Sequence, residues 1–268
     1  MTYQEIFEKL WEDYTNHNPA VKNVYDLFVS HGEEVVNDHI AFRTFNDERI
    51  GIDKLAEVFK KVDYAQSGEY FFPEKKLRAL HFEHELDVNA PRVFISELQV
   101  EQFSESFQQI VKDTIDRIPE KMLQSDKLIY SGTVWGDVSY ETYEALRKES
   151  EYAAWLYAFG FRANHFTISV NHLKNYTEIA SVNQLLKENG FLINDSGGEI
   201  KGSKEQFLEQ SSIKAGIINF PFVEGNQFIP GCYYEFAKRY PTSSGELYGG
   251  FIADSANKVF ESTDFRKA

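Results

Sequence analysis

His39-Ile40-Ala41-Phe42-Arg43 and, 126 residues further on, His165-Phe166-Thr167-Ile168-Ser169 decide how this 268-residue chain is read. Each stretch sets a histidine at the head of a β-type run. Each is followed by a helix-like segment, further strand-like runs and a glutamate, Glu97 in the first half and Glu235 in the second. The histidine-to-glutamate separation is 58 residues in one half and 70 in the other. The two halves repeat in pattern rather than in letters. A repeated His…Glu plan is what a metalloenzyme built from paired modules requires.

Alternation gives each stretch two faces. With the two-residue period of a strand, His39, Ala41 and Arg43 share one face, and Ile40, Phe42 and Thr44 the other. The apolar face is expected to rest on helices and the His/Ala/Arg face to line something polar. In the second half His165, Thr167 and Ser169 share a face. Val93, Ile95 and Glu97 share another, as do Tyr233, Glu235 and Ala237. A carboxylate continuing an apolar face needs a partner, because burying it alone is costly.

Outward from these strands the periodicity changes. Residues 2–32 are expected to be helical and broken at His17-Asn18-Pro19, with Pro19 at a helix start. Residues 52–63 and 175–189 carry amphipathic helical patterns. Runs at 69–72, 77–82 and 92–98 read as strands, and 101–160 reads as mostly helical. In the second half Phe191–Asn194 is expected to start a strand, Ser212–Phe220 to form one continuous β run, and Gly231–Ala237 to form the last.

Bulk composition excludes some functions. The formal charge is −14, so the basic footprint of a nucleic-acid or anionic-membrane partner is missing. Within so acidic a chain, an anionic substrate needs local arginine or lysine. Aromatic residues make up 15 %, with 23 Phe and 15 Tyr, which favours a substantial β component. One cysteine, Cys232, rules out an internal disulfide framework or a thiolate cluster and points to a reducing compartment. The first residues carry no basic-then-apolar leader pattern, and no apolar run reaches a membrane span, so a cytoplasmic location is expected.

Two imidazoles and one carboxylate on neighbouring strands form the ligand set that holds Fe(II) with open positions, and the same set can hold Zn²⁺ for hydrolysis. His39, His165 and Glu235 are the candidate ligands. His31, His81, His84 and His172 compete and are read as structural or solvated. Arg43 lies four residues beyond His39 on the same face, about 13 Å along the strand. It suits bidentate recognition of the far carboxylate of a small dicarboxylate, or else a surface ion pair. Glu97 holds in the first half the place of Glu235, as a fourth ligand, a partner of a ligand histidine, or a relic of the repeat.

Asp38-His39-Ile40-Ala41-Phe42-Arg43-Thr44, Phe94-Ile95-Ser96-Glu97-Leu98, Asn164-His165-Phe166-Thr167, Tyr234-Glu235-Phe236-Ala237-Lys238-Arg239 and Gly250-Phe251 with Phe260-Glu261-Ser262-Thr263 resemble the 2-oxoadipate dioxygenase/decarboxylase family, from near residue 35 to 264. The resemblance implies an α+β fold of the vicinal-oxygen-chelate type, with paired βαβββ modules forming a curved mixed sheet around one metal. It divides a single domain, 1–268, into a helical cap (1–34), a first module (35–100), a helical insertion (101–160), and a second module with a C-terminal segment (161–264). It implies Fe(II) held by His39, His165 and Glu235, with Arg43 as the substrate arginine. Zn²⁺ or Ni²⁺ can replace iron in purified protein. The implied reaction takes 2-oxoadipate and O₂ to 2-hydroxyglutarate and CO₂, in lysine breakdown, with both oxygen atoms incorporated. Characterised members are longer and carry additional segments.

Two other functions compete. A glyoxalase-like hydrolase, lyase or isomerase would use a divalent metal without redox chemistry and would favour Glu97 as a further ligand. A non-enzymatic small-molecule binding module would need no metal.

Overall fold

The computed structural model describes residues 1–263. Helices α1 (Tyr3–His17) and α2 (Pro19–Ser30) open the chain. They part at Asn18, since Pro19 has no N–H to continue α1 but fits the first turn of α2. There follow β1 (Asn37–Phe45), α3 (Ile52–Lys60), β2 (Tyr64–Phe72), β3 (Leu77–His84) and β4 (Arg92–Leu98). Four helices come next: α4 (Glu105–Ile115), α5 (Glu120–Leu123), α6 (Tyr140–Glu149) and α7 (Glu151–Phe159). The second half holds β5 (Ala163–Ser169), α8 (Ile179–Glu188), β6 (Lys201–Ser203), β7 (Leu208–Ser212), β8 (Ile217–Phe222), β9 (Gly225–Pro230), β10 (Tyr233–Arg239) and α9 (Ala253–Val259).

The repeat read from the sequence is present in the topology. β1-α3-β2-β3-β4 and β5-α8-β6-β7-β10 are each a strand, a helix and three strands. Their hydrogen-bonded order is β2-β3-β4-β1-β5-β10-β7-β6, so the last strand of each set lies beside its first. The sheet is mixed: β10 runs parallel to β5 and antiparallel to β7. β8 and β9 form a separate two-stranded sheet, inserted between the third and fourth strands of the second set.

The chain divides into two compact units. One comprises Met1–Tyr14, Ala41–Asn164 and Ile217–Ile229. Its most buried helix is α7, in which every residue from Tyr152 to Phe159 is buried, as an apolar-all-round sequence demands. Ser150 caps this helix by accepting the Ala153 N–H at 3.2 Å. Gly160 ends it at φ +67°, where a Cβ would lie 2.1 Å from the Gly132 carbonyl oxygen. Only glycine fits there, because Gly132 and Phe161 exchange backbone hydrogen bonds of 2.8 and 2.9 Å at that crossing.

The other unit comprises Thr15–Ile40, His165–Gly216 and the chain from Pro230 onwards. α2 packs on the sheet through Phe28, whose ring centroid is 5.8 Å from that of Phe236 on β10. Val182, Leu185 and Leu186 of α8 are buried as the helical pattern requires. Asn18, between the first two helices, accepts the Cys232 N–H at 2.9 Å, and Cys232 is buried. Among the described residues no helix is long and apolar enough to cross a membrane.

Two local expectations change. The run 212–220 is not one strand but the end of β7 and the start of β8. Between them the backbone turns to other partners: Ile213 N–H donates to Tyr234 and Ala215 N–H to Ser262. Phe191–Asn194 forms no strand and contributes only a single bridge, Ile193 with Ile213.

Candidate metal centre

Three strands of one unit converge on a buried cluster. The last residues of β1 in this unit supply His39, the middle of β5 supplies His165, and β10 supplies Glu235. The parallel register sets Tyr233 opposite His165 and Glu235 opposite Thr167. One ligating atom from each of His39, His165 and Glu235 lies within 4.8 Å of the others. His165 Nε2 is 3.1 Å from Glu235 Oε2, and His39 Nε2 is 3.6 Å from Glu235 Oε1. All three residues are at most 4 % exposed.

Each ligand candidate is oriented from behind. His39 Nδ1 is 2.7 Å from Asp38 Oδ1, which places the ring hydrogen at Nδ1 and turns Nε2 towards Glu235. Thr167 Oγ1 lies 3.0 Å from that Nε2. The His165 ring stacks on Tyr233 with centroids 4.7 Å apart. Gln210 of β7 donates its side-chain amide to Glu235 Oε1. The ring of Phe251 meets His39 edge-on at 4.8 Å.

Electrostatics keep both acids of the cluster ionised. Burial pushes Glu235 up, but the charge of His39, the hydrogen bond and charge of His165 and the Gln210 amide outweigh it and lower its pKa. Burial likewise opposes ionisation of Asp38. The Arg239 guanidinium, with hydrogen bonds from His39 and Arg239, holds that carboxyl far below the ordinary range.

A metal fits this arrangement. Two imidazole nitrogens and one carboxylate oxygen converge, and the carboxylate is already an anion in an almost water-free position. The donors are nitrogen and oxygen only, which suits Fe(II), Zn²⁺ and similar divalent ions. Three protein ligands leave positions open for exogenous molecules.

Glu97 does not join the three. Its Oε2 accepts the Ile52 N–H at the start of α3 at 3.1 Å, and its Oε1 pairs with Arg78 at 3.1 Å. The carboxylate sits at a helix N-terminus, where the backbone favours negative charge. The other histidines are held by local partners. His81 Nδ1 lies 2.9 Å from the Tyr70 hydroxyl and its Nε2 3.0 Å from Glu83. His84 accepts the Leu86 and Asp87 N–H groups, His31 bonds the Leu27 carbonyl and His172 the Ser169 hydroxyl.

Arg43 lies in the other unit, 3 % exposed. Its guanidinium carbon is 5.0 Å from the Tyr152 ring centroid and 5.1 Å from that of Trp155. It is therefore a buried, ring-stacked cation and not half of a surface ion pair. Tyr152 is fixed in turn. Its hydroxyl accepts the Thr44 N–H at 3.0 Å, donates to the Ser96 carbonyl at 2.7 Å and lies 3.0 Å from Ser96 Oγ.

Sequence reasoning assigned no role to Asp38, Arg239, Gln210 or Thr167. Asp38 carried a signal, an acid next to a candidate ligand histidine. Gln210 and Arg239 carried none, because their partners Glu235 and Asp38 lie 25 and 201 residues away in the chain.

Comparison with known proteins gives the family. The family model described as 2-oxoadipate dioxygenase/decarboxylase matches residues 6–248. A chloroplastic 2-oxoadipate dioxygenase/decarboxylase of Arabidopsis thaliana is 37 % identical, over 97 % of this chain and 77 % of its own length. The crystal structure of hydroxyglutarate synthase from Oryza sativa, in complex with 2-oxoadipate, superposes with a TM-score of 0.92 at 33 % identity, covering 98 % of this chain and 92 % of that one. A protein from Shewanella frigidimarina, described only provisionally as a hydrolase, gives 0.87 at 48 % identity, covering 93 % and 97 %. At the level of fold alone, a glyoxalase-superfamily protein from Ralstonia eutropha gives 0.74 at 20 % identity, covering 91 % and 83 %. The fold is thus α+β of the vicinal-oxygen-chelate type. The chain belongs to the 2-oxoadipate dioxygenase/decarboxylase family.

Proposed function

We propose that this chain is an Fe(II)-dependent dioxygenase/decarboxylase that converts a small 2-oxo dicarboxylic acid, 2-oxoadipate, with O₂ to 2-hydroxyglutarate and CO₂. The observation that carries the reading is the buried His39, His165 and Glu235 cluster in a member of this family. His39 and His165 would hold the ion through their Nε2 atoms and Glu235 through its carboxylate. When bound, Fe(II) supplies coordination positions for the oxo acid and O₂, and the electrons that activate O₂.

The remaining roles fall to the chain. Asp38 keeps the His39 hydrogen on Nδ1, so that Nε2 presents a lone pair. Gln210 fixes one oxygen of Glu235 and leaves the other towards His165. Burial of the three ligands keeps bulk water away from the reacting centre. Arg43 follows His39 by four residues on β1, about 13 Å along the strand. It is the proposed anchor for the far carboxylate, its plane pre-set by Tyr152 and Trp155.

The test is metal analysis followed by anaerobic iron loading and an oxygen-electrode assay. The expected result is one O₂ consumed and one CO₂ released per 2-oxoadipate. Iron-loaded protein that turns over no 2-oxo acid would remove the proposal. The provisional hydrolase description of the Shewanella relative marks a second reading. It predicts turnover with Zn²⁺ and no oxygen uptake, and the same assay separates the two.

A further inference from the structure

His39 and Arg239 are joined twice. Asp38 bridges them from one side: its Oδ1 lies 2.7 Å from His39 Nδ1 and accepts Arg239 Nη2 at 2.8 Å, while its Oδ2 accepts Arg239 Nε at 2.7 Å. Phe251 bridges them from the other. Its ring meets His39 at 4.8 Å and 88°, and the Arg239 guanidinium carbon is 5.1 Å from the same ring. Arg239 Nη1 also donates to the carbonyls of Tyr248 and Gly250, each at 2.8 Å, on the segment that leads into Phe251. Asp38, His39, Arg239 and Phe251 therefore form a closed ring of contacts, with every member at most 6 % exposed.

We infer that Arg239 is a positioning residue of the metal centre, acting on His39 through Asp38 and through the clamped 248–251 segment. The inference rests on the reading of His39 as a metal ligand. The guanidinium uses its fork for both oxygens of Asp38 and its remaining edge for two carbonyls, a pattern that one ammonium cannot reproduce. With Asp38 gripped at both oxygens, its Oδ1 is fixed as the acceptor that sets the His39 ring plane. With Gly250 gripped, Phe251 is held against the face of that ring. A buried ion pair that served stability alone would not need its acid to face a ligand imidazole. Nor would it need its base to hold the residue that covers that imidazole.

The experiment measures Zn²⁺ and Co²⁺ affinity of metal-stripped protein by chelator competition, together with the visible spectrum of the Co²⁺ form and thermal unfolding of the metal-free form. The variants are Arg239→Lys, Asp38→Asn, the double variant and Phe251→Leu. Arg239→Lys and Asp38→Asn are each expected to weaken metal binding by about ten- to a hundredfold and to change the Co²⁺ spectrum, as loss of an outer partner of a ligand histidine does. The double variant is expected to bind no more than about twofold worse than the weaker single variant, because both act through one contact. Phe251→Leu is expected to weaken binding by a smaller factor.

A folded Arg239→Lys with wild-type affinity and spectrum would overturn the inference, as would losses in the two single variants that multiply. If Arg239→Lys does not fold, wild-type affinity in both Asp38→Asn and Phe251→Leu overturns it. The two levels stay distinct. A wild-type protein that binds no metal sinks the metal centre itself, whereas equal affinities across wild type and variants sink only the role of Arg239.

Discussion

Gln210 donates its side-chain amide to Glu235 across the β7–β10 pair, where both residues are at most 2 % exposed. Replacing it with leucine would leave one carboxylate oxygen buried without that donor, a loss of about 1–3 kcal/mol for a charged acceptor. Gln210→Leu is expected to lower metal affinity roughly tenfold. Chelator competition on the purified variant measures it, and urea denaturation of the metal-free form reports the stability cost.

Arg43 offers a planar cation held by two aromatic rings. Arg43→Lys keeps the charge but loses the fork and the stacking. It is expected to cut kcat/KM for 2-oxoadipate by about two orders of magnitude, corresponding to roughly 3 kcal/mol. Metal content should stay at the wild-type level. Metal loss with unchanged substrate binding would contradict the division of roles between His39 and Arg43.

Tyr152 carries four polar contacts on one buried hydroxyl, to the Thr44 N–H and carbonyl, the Ser96 carbonyl and Ser96 Oγ. Tyr152→Phe removes them and leaves the Thr44 N–H and Ser96 carbonyl unmatched. A destabilisation of about 1–3 kcal/mol is expected, read as a lower urea midpoint at unchanged slope. Because the ring remains, stacking on Arg43 should persist and substrate affinity should fall less than in Arg43→Lys.

Glu224 caps the start of α6. It accepts the Ser139 hydroxyl at 2.6 Å and the Tyr140 N–H at 2.7 Å. The Ser139 hydrogen bond first, then the Tyr140 backbone, lowers its pKa from the ordinary 4.5 to about 2. The folded state thus favours the carboxylate. Its contribution is complete above about pH 5 and fades as pH falls towards 2, because only there is the acid protonated in the folded chain as well. Glu224→Gln should therefore be less stable than wild type at neutral pH, and its loss of stability between pH 5 and 2 should be shallower. Thermal unfolding across that range checks both.

The repeated strand-helix-strands plan was readable because histidines mark the first strand of each set and periodicity marks the helices. The same pattern brought His39, His165 and Glu235 together correctly, since each lies on a face that alternation alone defines. Pattern could not tell Glu97 from Glu235. Both continue a strand face, and only the surroundings separate a cap for α3 from a member of the His39–His165–Glu235 cluster. Residues 212–220 read as one strand for a related reason. Apolar, β-prone residues specify that a segment pairs but not with which neighbour, and here the neighbours change at Ile213. The Asp38–Arg239 pair joins residues 201 positions apart, a distance over which no local signal operates.

The crossing of Gly160 and Gly132 sets a rule for how this chain can diverge. α7 must end there, and the strand that bears His165 begins three residues later, at Ala163. No slack lies between the glycine pair and that strand. One residue added between 160 and 165 would shift the register of β5 and turn the imidazole to the opposite face of the sheet. The turn at 242–246, largely exposed and closed by the Thr242 N–H to the Glu246 carbonyl at 2.8 Å, precedes the carbonyls that Arg239 holds and tolerates added length. Natural variants and designed fusions are therefore expected to accept insertions at 242–246 and to reject them at 160–165, an asymmetry that a transposon-based insertion library would expose directly.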